Sequence, residues 1–229
     1  MKATLMVTTL LGASFALAGN VTGKVSFKGT APKADVVKMN ADPVCAKENA
    51  GKKVVKDDVV VNANGTLANV FVYVKEGLKK EAIPADVGSP VTFDQSGCMY
   101  TPHVLGVRVG QKLKIVNSDS TMHNVHSLSK TNPSFNSAMP TKGQTIEKDF
   151  KKAEFPVKVK CDVHGWMAGY IGVMEHPFFA VSDSSGAFSI NNLPPGDYKL
   201  EAWHEKFGTK MADVKVTAAG AGPVEFTFN

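Results

Sequence analysis

Arginine is nearly missing from this sequence. Arg108 is the only one, so almost all of the 26 basic residues are lysine, and they are spread along the chain rather than packed into a patch. Nucleic-acid recognition relies on arginine clusters that read base edges and phosphates, so no nucleic-acid partner is expected. The lysines read as a solvated surface able to steer an acidic partner. Long hydrophobic runs are missing too: after residue 19, lysine, proline and glycine interrupt every apolar stretch, which excludes a membrane span in the mature chain. No long segment carries helical periodicity, which excludes a helical bundle. Cysteine is scarce, with three residues, Cys45, Cys98 and Cys161.

The one apolar run is at the start. Lys2 gives a short positive region, Ala3 to Leu17 is apolar, and Ala16-Leu17-Ala18 has the small-x-small form of a cleavage site. A membrane anchor needs about 20 apolar residues, so residues 1–18 are predicted to be a cleaved signal peptide and the mature protein to be periplasmic. No cysteine follows the cleavage site, which disfavours a lipoprotein. In an oxidising compartment three cysteines leave one unpaired. The chemistry around Cys161 makes it the odd one, so Cys45 and Cys98 are expected to form a disulfide.

Strand signals dominate the rest. Val21–Phe27, Val59–Val61, Asn69–Val74, Val104–Val109, Lys112–Asn117, Phe155–Lys160 and Ile171–Met174 alternate or are rich in β-branched residues,. Turn formers such as Asn64-Gly65, Ser96-Gly97, Ser185-Gly186 and Pro194-Pro195-Gly196 separate them,. Helix is plausible only in short pieces such as Asp42–Asn49. The fold class is all-β and sandwich-like.

The chemistry concentrates on one loop. Cys161-Asp162-Val163-His164-Gly165-Trp166-Met167 lies between two predicted strands and offers a thiolate, an imidazole and a thioether together. That soft set selects copper, and a trigonal His₂Cys site with a distant methionine suits both of its common oxidation states. Zinc prefers an anionic or nitrogen fourth ligand to a thioether. A binuclear copper centre needs a second thiolate that this loop lacks. The second histidine is His123, which follows the strand Lys112–Asn117 within Met122-His123-Asn124-Val125-His126.

With these residues in view, Val91 to Met174 resembles the cupredoxin family in its amicyanin-like form. The shared features are a strand ending in Asn, then His-Asn-Val-His, then Cys-x-x-His-x-x-Met with a two-residue spacer before the methionine. The resemblance implies a Greek-key sandwich holding one type 1 copper ion. In it His123, Cys161 and His164 are equatorial ligands, Met167 is axial, and Asn124 ties the two ligand loops together by hydrogen bonds. It also implies electron exchange through the His164 ring edge, at an apolar surface containing Trp166, Pro140 and Met139. The implied partner is a c-type cytochrome or a periplasmic dehydrogenase, and the chain itself is not expected to be an enzyme. His126 reads as a surface or outer residue and His103 as a possible contact to another metal, while His176 and His204 read as structural.

The C-terminal flank is of another kind. Phe179 to Asp183, Gly186-Ala187-Phe188-Ser189-Ile190 and Leu193 to Leu200 resemble the carboxypeptidase regulatory-like, or transthyretin-like, β-sandwich family. That family's opening strands have their counterparts far upstream, as Val21 to Phe27 and Ala68 to Val74. The preferred organisation is therefore a transthyretin-like sandwich made of residues 19–88 and 176–229, with a cupredoxin domain, residues 89–175, inserted in it; the alternative is a contiguous N-terminal module beside a separate C-terminal one. The competing functional readings are copper storage or delivery, with His103, His126 and Met122 as transient ligands, and docking by the flanking sandwich.

Overall fold

The computed structural model describes residues 18–229, so the signal-peptide expectation lies outside the described residues except for Ala18. Two strands come first, β1 (Gly19–Phe27) and β2 (Phe71–Glu76), separated by a long segment whose one α-helix is α1 (Pro43–Glu48). The middle of the chain carries β3 (Val91–Ser96), β4 (Met99–Thr101), β5 (Val104–Arg108), β6 (Leu113–Asn117), β7 (His123–Ser127), β8 (Asn136–Met139), β9 (Thr145–Lys148), β10 (Glu154–Lys160) and β11 (Ala168–Met174). The last strands are β12 (Phe179–Val181), β13 (Ala187–Leu193), β14 (Gly196–His204), β15 (Gly208–Val216) and β16 (Ala221–Phe228). The fold is all-β: two pairs of sheets, each closing over its own apolar core.

The central pair consists of the sheets β5-β11-β10-β7-β8 and β4-β3-β6-β9. Strands such as β6 and β10 alternate buried and exposed residues, as one-sided burial requires,. Their inward side chains, among them Phe93, Leu113, Ile115, Val157, Val159 and Ile171, form one cluster that also contains Cys161 and Met167. The flanking pair is β13-β1-β16 and β12-β2-β14-β15. Here β1 runs parallel to β16 and antiparallel to β13, while β2 pairs with β12 and β14. The two earliest strands thus find all their sheet partners after residue 178. The core of this pair includes Val21, Val25, Val72, Val74, Ile190, Leu200 and Phe228.

The pairs meet through a third cluster that includes Phe71, Tyr73, Val104 and Met174, with Phe155, Tyr170, Phe179 and Trp203 packed against it. This contact explains why the sequences of β2 and β11 do not alternate. Val72 and Val74 face the flanking core while Phe71 and Tyr73 face the contact; in β11, Ile171 and Val173 face the central core while Met174 faces the contact. Each fully buried aromatic of this kind contributes about 1.5–3 kcal/mol of apolar burial. Glycine makes the approach possible. A Cβ at Gly172 would lie 2.5 Å from the Phe71 ring, and one at Gly106 would lie 2.2 Å from the Phe179 ring.

Arg108, the lone arginine, is 7% exposed. Its guanidinium donates to the carbonyls of Pro84 (2.9 Å), Asp86 and Glu175 (3.1 Å), which lie on the two chain crossings between the sheet pairs.

The segment before β2 differs from expectation at one point. Val59–Val61 forms no strand; only Val61 makes a bridge, to Leu67. The turn closed by the Gly65 amide on the Asn62 carbonyl (2.9 Å) folds the chain back too soon for a longer ladder. The short helix does form where expected. The Asp42 carboxylate caps it by accepting from the amides of Val44 (2.8 Å) and Cys45 (3.1 Å), and Pro43 occupies the first turn, where no amide is needed,. A disulfide between Cys45 and Cys98 anchors α1 on the central pair.

Candidate metal centre

The site begins with a buried asparagine. Asn117, at the end of β6, donates to the carbonyls of Thr121 (2.9 Å) and Met139 (2.8 Å) and accepts from the Asp119 amide (3.0 Å). These bonds fix residues 118–122 as a tight loop that delivers His123 to the first position of β7. On the facing loop, the Cys161 amide donates to the Met167 carbonyl (3.1 Å), and the Met167 amide donates to the His164 carbonyl (2.9 Å). The loop is therefore closed on itself, with the Cys161 thiol and the His164 ring on its inner side.

The predicted residues come together as follows. One ligand atom each from His123, Cys161 and His164 lies within 4.8 Å of the others, and all three residues are buried. Met167 is 1% exposed on the same loop and packs in the core cluster that holds Cys161. Asn124 joins the loops as the resemblance implied: its Oδ1 accepts from the Cys161 thiol (3.2 Å) and the Asp162 amide (2.7 Å), and its Nδ2 donates to the Asp162 carboxylate (3.0 Å). His126 also binds that carboxylate (2.9 Å) and so belongs to the outer network. His103 points elsewhere, to Glu205, and among the described residues it joins no cluster of three metal-ligating groups.

The protonation states follow from the partners. The Asp119 Oδ2 lies 2.8 Å from His123 Nε2 and also accepts from the Cys98 amide (2.7 Å), while its Oδ1 accepts from Gly97 (2.7 Å). Burial alone would raise this carboxyl, but these hydrogen bonds outweigh it and hold the pKa below the usual value,. Asp42 Oδ2 lies 2.8 Å from His164 Nε2 and accepts from the Thr121 hydroxyl (2.8 Å). Its carboxyl is lowered to about 2, because hydrogen bonds from Thr121, the helix amides and His164 overcome the cost of burial. Two ionised carboxylates can only accept, so both imidazoles carry their proton on Nε2. Both Nδ1 atoms are then directed at one another, 2.8 Å apart, a distance that needs a proton or another cation between them.

Two lone pairs and a thiolate in a dry pocket repel one another unless a positive charge sits among them. The donor set therefore fits a soft cation. Without one, a proton serves. Burial would lower the His123 imidazole, but its bonds to Asp119 and Cys161 outweigh that and raise it to about 9. Burial likewise pushes the Cys161 thiol up, and the His123 ring with nearby backbone amides brings it below the ordinary value, toward the thiolate that binds metal,. A metal entering here must displace those protons.

The expected electron-exchange surface is different in the structure. His164 is 2% exposed, and its outer edge is covered by Asp42 and by the disulfide, whose Cys45 sulfur lies 3.7 Å from Nε2. The cover comes from the segment before β2, which the motif does not include. Trp166 is half-buried beside the ring, centroids 4.9 Å apart, with its indole N–H donating to the Cys98 carbonyl (2.9 Å). Pro140 is exposed, whereas Met139 is fully buried. Sequence reasoning missed Asp42 and Asp119; the Asp-Pro helix start was visible, but not where its carboxylate reaches.

No helix among the described residues is long and apolar enough to cross a membrane. Residues 175–229 match the family model of the carboxypeptidase regulatory-like domain. No curated protein sequence matches the chain. Among solved structures, the chain is similar to the copper-containing nitrite reductase NirK from Thermus scotoductus SA-01, with 26% identity and a TM-score of 0.35. That match covers 42% of this chain but only 26% of the reductase. It is also similar to an oxidized single-site mutant of amicyanin (22% identity, TM-score 0.34, 44% of this chain and 97% of that one). A purple cupredoxin from Nitrosopumilus maritimus gives 24% identity and a TM-score of 0.32, over 38% of this chain and 99% of that one.

Proposed function

We propose that this chain is a periplasmic mononuclear copper protein of the cupredoxin kind that passes single electrons between redox partners. The observation that carries the reading is the convergence of both imidazole Nδ1 atoms with the Cys161 thiol in a buried pocket, each ring's Nε2 being held by a carboxylate so that Nδ1 is the nitrogen left for a metal once it displaces the proton there. His123, His164 and Cys161 would hold the ion, with Met167 as a weak fourth donor. Copper, when bound, supplies a one-electron couple whose two states accept nearly the same trigonal surroundings.

The residues of the chain do the rest. Asn124 holds the Cys161 sulfur and the following amide, so that the thiolate keeps its direction in both states,. The core around Cys161 and Met167 excludes water. Trp166 offers an aromatic contact from the His164 ring to the half-buried surface. No substrate bond is made or broken, so the chain acts as a carrier rather than an enzyme, and a c-type cytochrome or a periplasmic dehydrogenase is the kind of partner it serves. Delivery of copper is the weaker reading, because every predicted ligand is buried and exchange with an acceptor is slow from such a site.

Titration of the purified protein with Cu(II) tests the proposal. One equivalent should produce an intense visible thiolate-to-copper band and a reversible one-electron wave, and Cys161→Ser should abolish the band. A wild-type protein that stays colourless, or that yields its copper to a chelator within seconds, refutes it.

A further inference from the structure

Both candidate ligand rings are gripped from behind by carboxylates that lie outside the ligand motif. Asp119 binds His123 Nε2 and Asp42 binds His164 Nε2, each at 2.8 Å. The two pairs flank one disulfide. Asp42 caps the helix that carries Cys45, and Asp119 accepts from the Cys98 amide (2.7 Å). Asp42 is further held by the Thr121 hydroxyl (2.8 Å), from the loop that delivers His123. The segment before β2 is thereby tied into both ligand loops.

We infer that Asp42 is a positioning residue for the metal: acting through His164, it aims Nδ1 inward, strengthens that nitrogen as a donor, and closes the ring edge to solvent. The inference rests on the copper reading above and deepens it. A negative partner behind an imidazole favours the more highly charged ion on the other side. The oxidised state should therefore be stabilised relative to the reduced one. Asp119 acts in the same way on His123; both carboxylates also hold two backbone amides, and Asp42 is the probe because its amides belong to a helix cap that asparagine can replace.

Asp42→Asn is the informative variant. Asparagine caps a helix as well as aspartate does, so its oxygen keeps the bonds to Val44 and Cys45. Its NH2 replaces the oxygen that faced His164 Nε2, so the helix is kept and the charge and the ring's acceptor are lost together. In copper-loaded protein with its visible band intact, Cu(II) affinity should fall about 10–100-fold while Cu(I) affinity changes much less. A tenfold change in the ratio raises the reduction potential by about 59 mV for one electron. An unchanged potential and Cu(II) affinity, within twofold, would overturn the inference while leaving the copper reading intact; a wild type that forms no coloured complex would sink the copper reading instead. Should the variant fold poorly, the wild type still decides. In the Cu(I)-loaded protein the His164 Nε2–H should give a slowly exchanging proton resonance, and a rapidly exchanging one would mean that the edge is open and Asp42 is not its partner.

Discussion

The central and flanking sandwiches treat buried histidine in opposite ways. At the candidate metal centre each imidazole faces an ionised carboxylate, and His123 is raised to about 9 despite its burial. In the flanking pair, His204 is 1% exposed and stacks on Phe207 at 4.6 Å. Its Nδ1 accepts from the Lys206 amide (3.2 Å), and its Nε2 finds no partner among the described residues. Burial pushes this imidazole down to about 4. At His123 the carboxylate and thiol partners together outweigh burial, whereas at His204 burial is the larger influence and the ring serves as packing,.

Three changes would break or sharpen that contrast. The largest effect is expected at the disulfide that backs the metal centre. Replacing Cys45 and Cys98 by serine frees a loop spanning 53 residues in sequence, which should cost about 4 kcal/mol in urea unfolding. A loss under 1 kcal/mol would mean that the central region does not depend on that brace. Next comes the contact between the two regions. Gly172→Ala drives a methyl into the Phe71 ring and should cost up to about 3 kcal/mol while leaving the copper band unchanged; a shifted band would show that the regions are coupled.

The third concerns pH and belongs to the flanking region alone. The folded pKa of His204 lies below the ordinary 6.5, so between about 6.5 and 4 the unfolded chain binds more protons. Its contribution is therefore complete above pH 6.5 and declines as pH falls toward 4. Urea unfolding of copper-loaded protein at pH 5 should show a loss on the order of 2 kcal/mol relative to pH 7.5. His204→Leu should remove much of that slope, and an unchanged slope would put the acid sensitivity elsewhere.

What could be read from the sequence was what is encoded locally. The Cys161 to Met167 loop, the short helix near Asp42–Asn49, the turn formers and the alternation of β6 and β10 all depend on residues a few positions apart. The role of Asp42 could not be read in this way. It lies 122 residues from His164, and a short helix start says nothing about which side chain approaches a carboxylate beside it. Asp119 was hidden similarly within a polar loop. The expected opening at the His164 edge failed for the same reason, because the motif contains no information about the segment that covers it. β2 and β11 read plainly as apolar strands, but only the contact between sandwiches explains why both of their faces are buried. The pairing of Cys45 with Cys98 could be reached by elimination, once Cys161 was set aside for metal.

The solitary arginine has one further consequence. Arg108 grips carbonyls from both places where the backbone passes between the two sandwiches. The way in and the way out are thus clasped by a single planar group. Whatever approaches the half that carries the candidate metal centre therefore meets a companion braced to it at both crossings.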